Sequence, residues 1–510
     1  MRTQRNDAWK RWAVFVAVAA ALCMLLWAGW TLLKDSHVID HVSSIQSDTA
    51  VTIGVPDAPS SIDIRTDDNP AIEQALLGNV YETLVSRGQD NSLTAGLAKQ
   101  WDVSEDGLTY TFTLQSGLRF SNGHALDSSD VVWSLQQAVQ QQYVGSEALD
   151  HLAEVANPDK DTVTITLSSP DPTLPRTLAG RAGIVYDEEA SIDYARQALG
   201  SGPFTVSEFR QGVSIALRGN DSYWGQAPAS SQITLRYFAD ESSMVEALRN
   251  GEIDMALPLS AATAQSLSED PTLMVATGES LNKTTLVFNN DADSILSDSQ
   301  MRQAIRYLVD TAVIAQSQAD ASRELGGPIG PLDPGYEDLT GLFPHDTDQG
   351  AALASYFGTS YYGGGLRFVV QQEYATLATT IASQIEQGGV PVNVEALAEN
   401  DYQVRIDSRQ FDLTLRTEDG DDSAAQYADP QSLSQYTDSQ AQDQYKAAMA
   451  APNDEEYQNG LRAFARTVSQ DAASDWLYSC RTFVAAQPRL SGYATNMVDR
   501  WLPLSDIALS

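Results

Sequence analysis

The sequence predicts an α/β protein of two lobes that carries an additional antiparallel β-rich unit, with an N-terminal transmembrane helix ahead of them. Three observations predict it. Two strand-helix-strand patterns stand far apart, at 233–256 and at 366–394; hairpin material fills 101–126; and an uncharged apolar run, Trp12–Leu33, opens the chain. A chain of 510 residues exceeds what one hydrophobic core usually supports, so two or three packed units follow from size alone.

Trp12–Leu33 is preceded by four basic residues and followed by Lys34. As a helix its 22 residues span roughly 33 Å, against a hydrocarbon core of about 30 Å. Basic residues on its N-terminal side place residues 1–11 in the cytoplasm by the positive-inside rule. The expected reading is an uncleaved signal anchor with the rest of the chain outside the cytoplasm. A lipidated signal at Cys23 is the alternative, against which stands the bulky Leu22 before it. Residues 34–49 are polar and without period, and read as a tether.

Val51–Val55 alternates as a strand, and Asn69-Pro70 reads as an N-cap followed by a first-turn proline. The helix predicted there places Ile72, Leu76, Val80 and Leu84 on one face. Asp106-Gly107 and Asn122-Gly123 are hairpin turns around the alternating Leu108, Tyr110, Phe112 and Leu114. Asp127 with Asp130 reads as a capping box, and Val163, Ile165 and Leu167 add a strand. Beyond residue 200, Ile233–Phe238, Ser242–Arg249 and Ile253–Ala256 form the first βαβ pattern; Leu366–Val370, a helix through Leu377, Ile381 and Ile385, and Val390–Val394 form the second. A helix is expected after Asp298, and Phe411–Leu415 reads as a strand with a very polar exit loop. Ligands of open α/β sheets bind beyond the carboxyl ends of strands, which directs attention to the loops after Val55, Val370 and Leu415.

Composition narrows the function. With 31 basic and 68 acidic residues the formal charge is −37, a surface that repels phosphate backbones and excludes a nucleic-acid partner. No HExxH, G-x-S-x-G, phosphate-binding glycine loop or CxxC occurs, so no catalytic residue, metal ligand or cofactor is assigned. His37 and His41 sit in the tether without a third ligand, and Ser280-x-x-Lys283 lacks the partner motifs of serine-lysine enzymes. Cys480 is the only cysteine outside the first apolar run, so no intramolecular disulfide staples the fold. With Arg481 it follows Trp476-Leu477-Tyr478, where the chain is expected to return toward the first lobe.

Several runs, at family spacing, are Val80-Tyr81-Glu82-Thr83-Leu84-Val85, Ser104-Glu105-Asp106-Gly107-Leu108-Thr109-Tyr110-Thr111-Phe112, Gly117-Leu118-Arg119-Phe120-Ser121-Asn122-Gly123 and Asp130-Val131-Val132-Trp133-Ser134-Leu135. With Gly200-Ser201-Gly202-Pro203-Phe204 and Met301-Arg302-Gln303-Ala304-Ile305, they resemble the family-5 extracellular solute-binding proteins of ABC importers. The resemblance covers residues 50 to about 500. It implies a two-lobed periplasmic-binding-protein-like clamp of type II with an extra antiparallel subdomain, working with an ABC permease as a monomer and not as an enzyme. Its division would be lobe I at 50–80, 197–283 and 484–510, the β-rich subdomain at 81–196, and lobe II at 284–483. A short peptide is the expected ligand; an oligosaccharide, nickel chelate or opine, or sensing without transport, is the alternative.

In peptide-binding relatives the loop after the strand matching Phe411–Leu415 holds a tryptophan and an aspartate that neutralises the ligand's amine, before a Tyr-x-Asp/Glu-Pro run. Tyr427-Ala428-Asp429-Pro430 matches that run, which implies ligand roles for Tyr427 and Asp429; but Gln426 stands where the aspartate would be, and the loop has no tryptophan. A buried ammonium without an ionised partner costs several kcal/mol, so another acid must serve or the ligand lacks a free amine there. Glu418, Asp419, Asp421 and Asp422 in the same loop are the candidate replacements, or a solvated insertion. Arg416 at the strand exit is a candidate for a ligand carboxylate. Gln371 and Gln372, and Ser60 and Ser61, follow the other two strands and complete the candidate ligand set.

Overall fold

A computed structural model describes residues 50–357, 364–418, 420–498 and 501–510. The anchor and tether expected at 12–33 and 34–49, and Asp419, lie outside the described residues. Among the described residues no helix is long and apolar enough to cross a membrane.

One long sheet organises Ala50–Ser510. Strand β1 (Ala50–Val55) is followed by the short hairpin β2 (Val85–Arg87) and β3 (Leu93–Ala95), and then by β4 (Ala98–Val103), β5 (Thr109–Leu114), β6 (Leu152–Asp159) and β7 (Thr162–Leu167), a separate four-stranded antiparallel sheet ordered β4-β5-β7-β6. The chain continues through β8 (Phe204–Arg210), β9 (Ser214–Gly219), β10 (Gln232–Tyr237), β11 (Met255–Ala256) and the 15-residue β12 (Met274–Phe288). Next come β13 (Ala321–Glu324), β14 (Leu366–Gln371), β15 (Val392–Leu397), β16 (Leu413–Glu418) and the 13-residue β17 (Ser474–Ala486). The order β15-β14-β16-β12-β17-β11-β1-β10-β9-β8, with β13 added on β17, runs unbroken across both halves.

The β-rich unit has the alternation its sequence promised. TYTFTL in β5 and TVTITL in β7 bury every second side chain against the helix Ser128–Gln141. That helix starts with the expected capping box: Asp127 accepts from Ser129 N, and Asp130 takes the Asp127 N–H at 3.0 Å. A second core gathers β1, β8–β11 and the C-terminal segment around Ile53, Leu235 and Leu504, and a third gathers β12, β14 and β16 around Phe288, Phe368 and Ile305.

Three expectations are corrected. The helix after Asn69 ends at Leu76, so Val80 and Leu84 are buried from non-helical backbone. Gly78 there takes a left-handed φ of 70°, and the Asn79 amide donates to Leu502 O at 2.8 Å, a tertiary bond that a continuing helix would not present. The first βαβ pattern is also split: β10 and β11 do not pair but lie on either side of β1, parallel to it. The second pairs directly, β14 beside β15. The strand foreseen at Phe411–Leu415 occupies Leu413–Glu418, because Asp412 is turned to Arg367 at 2.7 Å.

β12 and β17 join the halves. They pair antiparallel from Met274↔Ala486 to Val287↔Ser474, and the register slips between Glu279 and Lys283, so that Ser280–Asn282 bulge out opposite Cys480.

Candidate functional site

A cavity of about 580 Å³ opens at the carboxyl end of β1. Asp57 borders it from the β1 exit, Gln74 from the following helix, Ser280 and Asn282 from the bulge, Arg481 from β17, and Gly420 from the loop after β16. Both halves of the sheet contribute, and two of the three strand exits singled out by the sequence meet here. A neighbouring cavity of about 740 Å³ lies between the β-rich unit and the helices Ser439–Met449 and Asp454–Gln470, and Arg87 lines both. Ala424 and Ala425 carry the β16 exit loop into this second space.

The hairpin β2–β3 reaches across. Its Asn91 accepts from Arg87 Nε and Arg176 Nη1, each at 2.9 Å, and donates to Leu332 O at 2.9 Å. Gln89 O accepts from Asn496 Nδ2 at 2.9 Å.

The floor formed by β12, β16 and β17 is charged and sealed. Lys283 donates to Asp333 at 2.7 Å, with side chains 1% and 4% exposed. Arg306 pairs with Asp475 at 3.0 Å, at 4% and 1%, and its guanidinium lies 5.4 Å from the Trp476 ring. Glu418 is half-buried: Gln426 Nε2 donates to it at 2.6 Å and Thr285 at 3.4 Å. Burial pushes its carboxyl up to about 7, although Gln426 and the nearby Lys283 oppose the shift.

The candidate residues therefore separate. Glu418 and Gln426 are brought together, one bonded to the other, in the loop that borders both cavities. Tyr427 is fully buried, edge-on to Trp476 with ring centroids 5.1 Å apart. Asp429 is exposed and caps its own turn through Gln431 N. Ser60 donates to Asp67 at 2.6 Å, and Ser61 accepts from Asp63 N. Gln371 donates to Glu399, Gln372 is exposed, and Arg416 is exposed on β16. None of these nine candidates lines either cavity; Glu418 and Gln426 come nearest, through their loop neighbours Gly420, Ala424 and Ala425. Arg87, Arg481 and the Ser280–Asn282 bulge do line them, and sequence reasoning gave them no role. The signal available was slight: one arginine in the otherwise uncharged run from Leu477 to Ala486.

The profile of bacterial extracellular solute-binding proteins, family 5 (middle region), matches residues 92–444. The chain belongs to this family. Among curated family-5 relatives, the nickel-binding periplasmic protein of Escherichia coli is 26% identical over 289 residues, 54% of each chain, so the match spans about half of that relative's length. The di/tripeptide-binding protein 4 of Pseudomonas aeruginosa is 24% identical over 88% of this chain and 92% of that one. In three dimensions the chain is similar to the ABC transporter substrate binding protein CtaP of Listeria monocytogenes, with a TM-score of 0.79 at 19% identity over 90% and 99% of the two chains. The family-5 fold, two α/β lobes with the β-rich unit attached, thus frames the cleft described above.

Proposed function

We propose that the protein captures short peptides outside the cytoplasm and delivers them to an ABC permease, leaving them chemically unaltered. The observation that carries this reading is the paired cavity where the β1 exit faces the β16 exit loop across the bulged β12–β17 ribbon. Its two spaces have the size of small-ligand sites and a mixed polar and apolar lining. The similarity to a di/tripeptide-binding protein over most of both chains favours peptides over the other solutes.

In this reading Glu418 receives the ligand's amine, with Gln426 holding the carboxylate in place and supplying its own amide oxygen. The raised affinity of Glu418 for a proton is then reversed by the incoming ammonium, so ligand binding ionises it. Lobe I is assigned 50–80, 197–283 and 484–510, the β-rich subdomain 81–196 and lobe II 284–483; the separate core around Phe288 and Phe368 supports lobe II, while Tyr81, Ile184, Tyr186 and Tyr194 join the subdomain to the core of lobe I. Residues 12–33 hold the protein at the membrane as a single-pass anchor, and it acts as a monomer.

A thermal-shift panel of di- to pentapeptides tests the reading. A peptide at 100 times its Kd should add about 2.7 kcal/mol of stability, and mass spectrometry should recover it intact. Stabilisation by oligosaccharides or nickel chelates with none from any peptide overturns the peptide assignment, and cleaved peptide overturns binding without chemistry.

A further inference from the structure

The β-rich unit touches lobe II at two places made by residues that line neither the 580 Å³ nor the 740 Å³ cavity. At the first, the turn between β4 and β5 meets the connection between the helices Ser439–Met449 and Asp454–Gln470. Gly107 in that turn has a left-handed φ of 70° and is buried, although hairpin turns ordinarily face water. A Cβ there would stand 2.6 Å from Pro452 Cα and 3.1 Å from Pro452 O. Both sides of the contact are braced. Gly107 N donates to Ser104 O and Thr109 N to Ser104 Oγ, each at 2.9 Å; next to Pro452, Asn453 caps the following helix through Glu456 N at 2.9 Å.

The second place is Asn91 on the hairpin β2–β3, 2% exposed and held at a φ of 65°. Its side-chain oxygen accepts from Arg87 and Arg176, a task a carboxylate would perform better. What the amide adds is a donor, and that donor goes to Leu332 O at 2.9 Å, 241 residues along the chain. On its other side the hairpin is bonded to the C-terminal segment of lobe I, through Asn496 Nδ2 on Gln89 O at 2.9 Å. The hairpin is thus a bracket fixed to one half and hydrogen-bonded to the other.

A solute held in either cavity need touch none of Asn91, Gly107, Leu332 and Pro452. Contacts that join two halves of a clamp without touching its contents favour the joined arrangement whatever the contents are. We propose that Asn91 on Leu332 and Gly107 on Pro452 form a latch that holds the clamp shut before any ligand arrives and raises affinity for every ligand by the same factor. The latch goes beyond the peptide reading and rests only on its premise of halves that open and close. A ligand then supplies less of the free energy of closure, and its apparent affinity rises with the fraction of protein already closed.

Two variants break the latch by unrelated means, so either decides if the other does not fold. N91D keeps an acceptor for Arg87 and Arg176 but sets a carboxylate oxygen against Leu332 O. G107N keeps a residue type that tolerates the left-handed turn and drives its Cβ into the Pro452 backbone. G117N is the control, an exposed glycine of the same unit with a φ of 77°, where a Cβ meets nothing within 4 Å. Small-angle neutron scattering of the full chain in contrast-matched detergent, without ligand, reads the opening directly. The wild type and G117N should scatter as the closed arrangement, and N91D and G107N should show a larger radius of gyration. With trialanine, trilysine and any other peptide that stabilises the wild type, N91D should lose about 10-fold in affinity, by the same factor for each, through faster dissociation. An unliganded wild type that scatters as an open clamp overturns the latch, as do variants that scatter like wild type, G117N opening as far as G107N, or losses that differ from peptide to peptide. If no peptide stabilises the wild type, the peptide reading fails, and the scattering of the unliganded proteins still decides the latch.

Discussion

Two charged regions of the molecule use charge in opposite ways. Beneath β12, β16 and β17, Arg306 with Asp475 and Lys283 with Asp333 are withdrawn from water almost completely. Beside the β-rich unit, Arg65 lies 3.9 Å over the Tyr194 ring and pairs with Asp63 while remaining 22% exposed, and Arg87 and Arg176 share the neutral Asn91. Sealed pairs contribute little net stability when intact but leave a stranded charge when one partner is removed. Half-open cations adapt with water, so the difference separates a rigid floor from a compliant wall.

Substitutions on the two sides should therefore differ in cost. The largest effect is expected from Asp475→Asn, which leaves the Arg306 guanidinium buried with only neutral acceptors such as Ser469 O; chemical denaturation should show a loss of about 3–5 kcal/mol. A loss below 1 kcal/mol would erase the contrast. The pH dependence comes next. Glu418 and Glu82 both titrate near 7 in the folded protein, raised by burial, so the folded state binds more protons than the unfolded one between about pH 4.5 and 7. Their contribution is fully present below pH 4.5 and fades as pH rises through 7. Glu418→Gln should flatten that slope in part, leaving the share of Glu82, which Tyr223 and Trp224 hold at 2.9 and 2.8 Å. Stability that rises with pH over this interval would contradict the burial of both groups. Asp63→Asn on the compliant wall should cost only about 1 kcal/mol, because Arg65 keeps water and its aromatic contact. Ser60→Ala, which removes an exposed bond to Asp67, should stay within about 0.5 kcal/mol and leave peptide affinity unchanged.

What was legible in the sequence was local. The Asp127–Asp130 box, the alternation of β5 and β7, and both helix-strand returns are each set by a few neighbouring residues, and all are present. Pairing was not legible. Nothing between Gln232 and Ala256 tells that β1, from 200 residues earlier, enters between β10 and β11. Gly54 records that insertion, since a Cβ there would meet Ile253 Cδ1 at 2.6 Å, yet a glycine in a strand has many causes. The candidate site divides the same way. Glu418 and Gln426 share one loop and could be read together, whereas Arg481 acquires its surroundings only when β12 and β17 meet across about 200 residues of chain.

The slipped register at Ser280–Asn282 has a mechanical meaning. A regular ladder resists shear because every bond must lengthen together, but three residues set against one, followed by a second slip between Thr284 and Thr285, leave the ribbon a short stretch where twist can accumulate. Twist applied across the ribbon would therefore be taken up first within these few residues, with the regular strands on either side tipping as stiff paddles.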